Sequence, residues 1–185
     1  MVLSLLLVLS LGPLAARAAA QPGADSAVLQ DFRERIARYV ELHKQLEAKL
    51  PKLPKDATPE QITRNQDSLG AGIRAARAGA KRGDLFTPAM TRYVKRVLAQ
   101  VFAGPAARQL RASIMDEYPG NVTLTVNGMY PAAVPVASMP PDVLARLPEL
   151  PEELEYRFVG EQLILFDQHA HLIPDFILNA IPGSG

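Results

Sequence analysis

The fold is decided by the stretch LEYRFVGEQLILFD, residues 154–167. Two apolar runs of six residues enclose the dipeptide Gly160-Glu161, and a glycine in a two-residue loop can adopt the positive φ that a tight hairpin turn needs. This pattern predicts a β-hairpin. A third apolar run, residues 172–177, predicts another strand, and Pro174 places that strand at the edge of the sheet because proline cannot donate to a β-ladder.

The region before the hairpin predicts one more strand and a surface crossing. Val122, Leu124 and Val126 alternate with polar residues, which is the period of a half-buried strand. The Pro-rich stretch 131–151 comes next in the chain, and it predicts an irregular connection with one short helix at about 142–147. Residues 119–185 are therefore expected to form a small antiparallel sheet, a hairpin with an edge strand, joined by this crossing.

Residues 21–118 are predicted to be helical. The first helix can be capped by Asp25 or Ser26 and ends before Pro51. Its apolar residues recur at alternating spacings of three and four, which is typical of a helix that packs lengthwise on another helix. This seam consists of Leu29, Phe32, Ile36, Tyr39, His43, Leu46 and Leu50.

Three further helices are predicted from their start signals. Thr58-Pro59 and Thr87-Pro88 each place a capping residue before a proline at the first helical position, and a fourth helix begins after Gly104-Pro105. Short connections between helices predict an antiparallel bundle. The predicted fold class is α+β and mainly α, a four-helix region followed by a small antiparallel sheet and packed as one domain.

Residues 1–20 predict a cleavable export signal. An apolar run of about ten residues is followed by Gly12-Pro13 and an alanine-rich tract with A-x-A sites, and the run is too short for a membrane span, which needs roughly twenty residues. The chain has no cysteine, so neither a lipid-anchored cysteine nor a disulfide framework is available. We therefore expect a periplasmic or secreted bacterial protein with no membrane span in the mature chain.

Charge is distributed unevenly along the sequence. Residues 63–112 carry ten basic and two acidic side chains, a net charge of +8, whereas residues 113–185 carry a net charge of −8. The basic segment from Arg74 to Arg111 is a candidate surface for a polyanion or for another envelope protein. Only Phe86, Tyr93 and Phe102 lie among these bases, too few for a row of stacking platforms. Specific nucleic-acid binding is therefore not expected, and mutual neutralisation by the acidic region is the favoured alternative.

One cluster has the chemistry of a metal site. Asp167, His169, His171 and Asp175 supply two imidazoles and two carboxylates within nine residues, a donor set suited to zinc or another divalent metal. A turn that contains two incidental histidines is the alternative. Apart from this divalent metal, no cofactor is predicted, because the sequence contains neither a phosphate-binding glycine loop nor HExxH nor a Rossmann fingerprint.

Catalytic candidates are weaker. Glu152, Glu153 and Glu155 could supply an acid and a base for glycoside hydrolysis, but a solvated turn explains them better. His43 lies in the seam of the first helix, where a packed and hydrogen-bonded histidine is more common than a catalytic base.

The C-terminal third resembles a family of exported bacterial proteins that has no known activity. The resemblance rests on Tyr156-Arg157-Phe158-Val159-Gly160, on the apolar run that ends at Asp167, and on the run 172–177. It implies export and no particular reaction. We therefore expect an exported, non-enzymatic binding or structural protein of the cell envelope, with a divalent-metal-binding protein or an unrecognised hydrolase as alternatives.

Overall fold

The computed structural model describes residues 22–116, 118, 120, 122–130, 134 and 139–183. These residues form five helices and a four-stranded antiparallel sheet, which confirms the predicted α+β, mainly α class. The helices are α1 (Pro22–Glu47), α2 (Pro59–Ala76), α3 (Pro88–Val101), α4 (Ala107–Asp116) and α5 (Pro141–Leu144), and the strands are β1 (Gly128–Met129), β2 (Leu154–Val159), β3 (Gln162–Asp167) and β4 (Leu172–Ile177). The predicted export signal, residues 1–20, lies outside the described residues.

The predicted helix starts of α2 and α3 are confirmed. The Thr58 side chain accepts the N–H of Gln61, and the Gln61 side chain accepts the N–H of Thr58, so each side chain of this capping box satisfies an N–H group that has no helical partner. Thr87 caps α3 by accepting the N–H of Met90 at 3.3 Å. Helix α1 begins at Pro22, earlier than the predicted cap at Asp25 or Ser26.

The seam of α1 faces the protein interior. Phe32, Ile36, Tyr39 and His43 are buried, and α1 packs against both α2 and α3. Helix α4 differs from the predicted bundle helix because none of its residues is fully buried. In the described part of the chain, no helix is both long enough and apolar enough to cross a membrane.

The predicted hairpin is confirmed. Strands β2 and β3 pair from Leu154 with Asp167 to Val159 with Gln162, and Gly160 turns the chain with φ +55°. A side chain at Gly160 would also meet the Tyr118 ring at about 2.9 Å, so both the turn and this contact require glycine.

The prediction that the last strand lies at an edge is wrong. The strand order is β1-β4-β3-β2, so β4 is an inner strand and β1 covers it. Pro174 is tolerated there because β4 bulges: Leu165 pairs with Asp175 and Asp167 with Leu172, which leaves two residues of β4 opposite one residue of β3.

The predicted strand at 122–126 is also wrong, because these residues lie outside the ladder. Only Gly128 and Met129 pair with β4, opposite Ile173 and Leu172. Continued pairing would place Pro174 next in the ladder, where it has no N–H to donate. Asn127, with φ +56°, turns the chain at this point.

The sheet buries both of its faces. The face that packs on the helices carries Leu163 and Leu165, and the other face carries Ile164 and Phe166 beneath the segment around Tyr130. The predicted short helix in the Pro-rich crossing is present as α5, somewhat earlier than expected. Helices and sheet thus share one core, with the end of β3 lying against α1.

Candidate metal centre

Helix α1 presents four polar side chains at intervals of four residues: Arg35, Tyr39, His43 and Glu47. Residues four apart lie on the same face of an α-helix, one turn above another. The row therefore extends from an arginine at one end to a carboxylate at the other. Its two middle members are buried, although most polar side chains on a helix remain in solvent.

Asp167 explains how the middle of this row can be buried. It is the last residue of β3, and its Oδ2 atom accepts hydrogen bonds from the Tyr39 hydroxyl at 2.6 Å and from His43 Nδ1 at 2.7 Å. The Oδ1 atom accepts the N–H of Ala170 at 2.8 Å. Since this carboxylate accepts the other two bonds, we assign the proton of the His43 bond to Nδ1.

The second nitrogen of His43 is the unusual atom of the site. Its Nε2 is buried and has no hydrogen-bond partner among the described residues, and Glu47 Oε2 lies 3.6 Å away. His169, in the turn between β3 and β4, places Nδ1 3.1 Å from Glu47 Oε1. The ring centroids of the two histidines are 5.4 Å apart.

These three side chains form a possible ligand set. One ligand atom each from His43, Glu47 and His169 can be chosen so that all lie within 4.8 Å of one another. His43 is fully buried, whereas the side chains of Glu47 and His169 are 41% and 45% exposed. Such a cluster has a buried inner wall and an outer side open to solvent.

Carboxylates dominate the electrostatics around His43. Burial lowers the pKa of His43, but the hydrogen bond and charge of Asp167, together with the charges of Glu47 and Glu153, outweigh burial and raise the pKa above its ordinary value. Burial also raises the pKa of Tyr39 well above its ordinary value, and Asp167 adds to this rise. The environment thus favours positive charge at His43, whether from a proton or from a metal ion.

The residues predicted from the sequence as one metal site have separate surroundings in the structure. His169 joins the cluster, and Asp167 reaches it only through the Nδ1 atom of His43. His171 has φ +50° and packs its ring edge-on against Tyr130 and Phe166, on the other face of the sheet.

Asp175 lies at a different place on the helix side of the sheet. Its carboxylate accepts the N–H groups of Gly83, Leu85 and Phe86, in the loop before α3, and that of Phe176. These bonds measure 2.8–3.1 Å and occupy both oxygens. Asp175 therefore fastens a loop to the sheet.

The three glutamates predicted as a catalytic cluster also separate. Glu153 is buried, and its Oε1 binds Lys44 at 2.9 Å, whereas Glu155 pairs with Arg157. Glu152 is exposed, and its carbonyl oxygen accepts the Gln168 side chain. The carboxylates of Glu153 and Glu155 are thus each paired with a different basic residue, which accounts for them without a catalytic role.

Glu47 is a member of the cluster that the sequence motifs did not single out. The available signal was the pattern His-x-x-x-Glu within a predicted helix, which puts an imidazole and a carboxylate on one face. The seam position of His43 correctly predicts a packed, hydrogen-bonded histidine, but it gives no indication that Nε2 lacks a partner.

Comparison with known proteins adds no functional assignment. No protein-family model, no curated protein and no solved structure matches this chain. The functional proposal for this protein therefore rests on its sequence and on the geometry of the site.

Proposed function

We propose that this protein is an exported, non-enzymatic protein that binds a divalent metal ion through His43, Glu47 and His169. The observation that carries the proposal is the buried Nε2 atom of His43, which lacks a partner among the described residues and lies 3.6 Å from Glu47 Oε2. Burying a polar atom without a hydrogen-bond partner lowers the stability of a protein. A metal ion bound to Nε2 would supply the missing partner.

The outer contacts of His43 support this proposal. A histidine that binds a metal through one nitrogen commonly donates its other N–H to a carboxylate, which fixes the tautomer and makes the ring a better ligand. Asp167 accepts from Nδ1 at 2.7 Å, and the Tyr39 hydroxyl holds the same carboxylate oxygen. The imidazole is therefore oriented in advance, with Nε2 towards the cluster.

The donor types limit the class of metal. Two imidazoles and one carboxylate suit zinc, and they also accept nickel or copper, whereas calcium and magnesium prefer oxygen ligands alone. The exposure of Glu47 and His169 leaves room for water as a further ligand. A metal ion at Nε2 competes with the proton whose binding the raised pKa of His43 favours, so metal affinity should fall as the pH is lowered.

Export is the other half of the proposal. It rests on residues 1–20, whose apolar run, turn and A-x-A sites have the order of a cleavable signal. Expression of the full chain with a C-terminal tag, followed by fractionation and N-terminal sequencing, tests it. A mature chain that begins near Gln21 outside the cytoplasm is expected, and an intact N-terminus in the cytoplasm would contradict export.

Calorimetry tests the metal site. Chelator-treated protein is titrated with Zn²⁺, Ni²⁺ and Cu²⁺, and one ion per chain is expected for at least one of them. His169→Ala and Glu47→Gln should weaken binding by roughly 100-fold or more, because each removes a direct ligand. His169 and Glu47 are partly exposed, so these variants are expected to fold.

Two matched controls sharpen the test. His171→Ala removes a histidine two residues away that packs on aromatic rings, and Glu41→Gln removes an exposed carboxylate that accepts a hydrogen bond from Gln45. Both should leave metal affinity within about twofold. Equal losses in His171→Ala and His169→Ala, or no binding of any of the three ions, would refute the proposed site.

A further inference from the structure

A cleft lies beside the Arg35 end of the polar row on α1. It is a shallow space of about 460 Å³ between α1 and the chain that leaves α2. Its polar lining consists of Arg35, Arg38, Tyr39, Arg77 and Asp84, three arginines against one carboxylate. This lining is mainly cationic, whereas the charged groups that act on His43 in the metal cluster are carboxylates.

Arg77 is the best-positioned cation of the cleft. Its guanidinium lies over the Tyr39 ring at 4.9 Å from the centroid, and its Nη2 donates to the carbonyl oxygen of Pro174 at 3.3 Å. Among the described residues no carboxylate approaches this guanidinium within 4.0 Å. A guanidinium has five N–H donors, so most of them stay available on a group that packing holds in place.

Two carboxylates act on Arg77 through their charges, but both form their hydrogen bonds with main-chain N–H groups. Asp175 uses its oxygens for main-chain N–H groups, and Asp84 accepts the N–H of Lys81 at 2.8 Å. Burial lowers the pKa of Arg77, but the lowering leaves arginine a cation at neutral pH. Arg77 is therefore a partly buried cation that forms no direct ion pair among the described residues.

The other two arginines of the cleft have different roles. Arg35 is occupied, because it binds both carboxylate oxygens of Asp31 and the carbonyl oxygen of Asp84 at 2.9 Å. Arg38 is exposed and has no hydrogen bond or ion pair among the described residues. Arg38 and Arg77 thus both line the cleft without an ion pair among the described residues.

We propose that this cleft binds a small molecule through a phosphate or carboxylate group held between Arg77 and Arg38. The planar fork of guanidinium matches either group by paired hydrogen bonds, and such charge-assisted bonds are among the strongest in proteins. The aromatic ring of Tyr39 and the side chains of Leu42 and Leu85 line the same cleft beside the arginines, which adds apolar contact for the rest of the ligand.

Tyr39 connects the cleft to Asp167, the hydrogen-bond partner of His43 in the metal cluster. The Tyr39 ring supports Arg77, and the Tyr39 hydroxyl binds Asp167. Tyr39→Phe removes the hydroxyl and keeps the ring, so anion binding should survive this substitution. The anion site does not depend on the proposed metal, and chelator-treated protein is expected to retain it.

Isothermal titration of the chelator-treated full chain, in low-salt buffer free of phosphate, tests the proposal. The probes are inorganic phosphate and citrate, and the tighter of the two identifies the group that the cleft prefers. Saturable binding of one molecule per chain is expected for at least one probe. Arg77→Gln and Arg38→Gln should each weaken it roughly tenfold or more, because each removes a charge-assisted contact.

Matched controls separate this site from general positive charge and from the metal proposal. Arg92→Gln removes an exposed arginine of α3 that does not line the cleft, and binding should stay within about twofold of the unsubstituted chain. His169→Ala should also leave anion binding unchanged. If Arg77→Gln does not fold, Arg38→Gln still tests the anion site, because the Arg38 side chain is exposed and its substitution should leave folding intact. Absence of binding to both probes, or an equal loss in Arg92→Gln, overturns the proposal.

Discussion

Asp167 and Asp175 are both fully buried carboxylates on the helix side of one sheet, yet their partners differ in kind. Asp175 binds main-chain N–H groups with both oxygens, whereas Asp167 binds one main-chain N–H and the side chains of Tyr39 and His43. The N–H groups that bind Asp175 have no further functional atom, so its hydrogen bonds have a structural role only. The His43 partner extends the influence of Asp167 to Nε2 and to a cluster that reaches solvent.

The two aspartates show how a structural carboxylate differs from one that supports a site. Burial is the same for both, although Asp167 ends β3 and Asp175 lies within β4. The difference is whether the partner has a second functional atom that is left unsatisfied. Four substitutions test this distinction, in order of expected effect.

Asp175→Asn should cause the largest loss of stability. The substitution removes a charge that several N–H groups of the loop before α3 share, and it places an amide N–H₂ where only acceptors fit. Breaking a buried charged network costs about 3–5 kcal/mol. Urea denaturation followed by circular dichroism measures the loss, and a loss under about 1 kcal/mol would contradict the fastening role of Asp175.

Asp167→Asn should lower stability by about 2–3 kcal/mol and also weaken metal binding by roughly 10–100-fold, because the carboxylate that orients His43 is lost. Asp175→Asn, if enough of it folds, should retain the metal affinity of the folded fraction. Calorimetric titration of both variants with Zn²⁺ decides between them. Equal weakening in the two would mean that Asp167 acts on folding alone.

Tyr39→Phe should cost about 2 kcal/mol, because it removes one buried hydrogen bond to a charged group. The remaining bond of His43 to Asp167 keeps the imidazole oriented, so metal affinity should fall less than in Asp167→Asn. The same urea denaturation and Zn²⁺ titration measure both effects. A larger loss of metal affinity in Tyr39→Phe than in Asp167→Asn would contradict the inference that Tyr39 acts on His43 only through Asp167.

Glu153→Gln should show the smallest effect, visible only as a change in acid sensitivity. Burial raises the pKa of Glu153, but the hydrogen bond and charge of Lys44 and the charge of His43 outweigh it and lower the pKa overall. A lowered folded-state pKa stabilises the protein above the unfolded-state value and loses this contribution as the pH falls through the folded-state value.

Unfolding free energies measured between about pH 5 and about pH 3 test this sign, since an unperturbed glutamate titrates near pH 4.3. The unsubstituted chain should lose more stability over this interval than Glu153→Gln. Glu152→Gln, at an exposed position of the same turn, is the matched control and should behave like the unsubstituted chain. A steeper fall in the unfolding free energy of Glu153→Gln with falling pH would contradict a lowered pKa of Glu153.

Local patterns predicted much of the fold. The hairpin is encoded by Gly160-Glu161 between two apolar runs, and the starts of α2 and α3 are encoded by Thr-Pro pairs, because these signals depend on a few neighbouring residues. The position of β4 has no such local signal. Strand β1 has two residues, too few for a periodic pattern, and it alone makes β4 an inner strand.

The candidate site was only partly predictable, for a similar reason. Asp167 and His169 are recognisable as polar residues at a strand end, but their partners His43 and Glu47 lie more than 120 residues earlier in the chain. The partners of Asp175 are main-chain groups, which no side-chain pattern can reveal. Sequence reasoning therefore identified polar residues near a strand end and could not assign them to their separate environments.

The bulge at Pro174 determines which face of the sheet each later side chain of β4 occupies. Leu172 and Ile177 reach the same core although they are five residues apart, an interval that strict alternation would assign to opposite faces. Asp175 shares the face of Ile177 and so reaches the loop before α3. Deleting one residue of the bulge would turn this carboxylate away from that loop, so the chain length between Asp167 and Asp175 is itself a structural requirement of the protein.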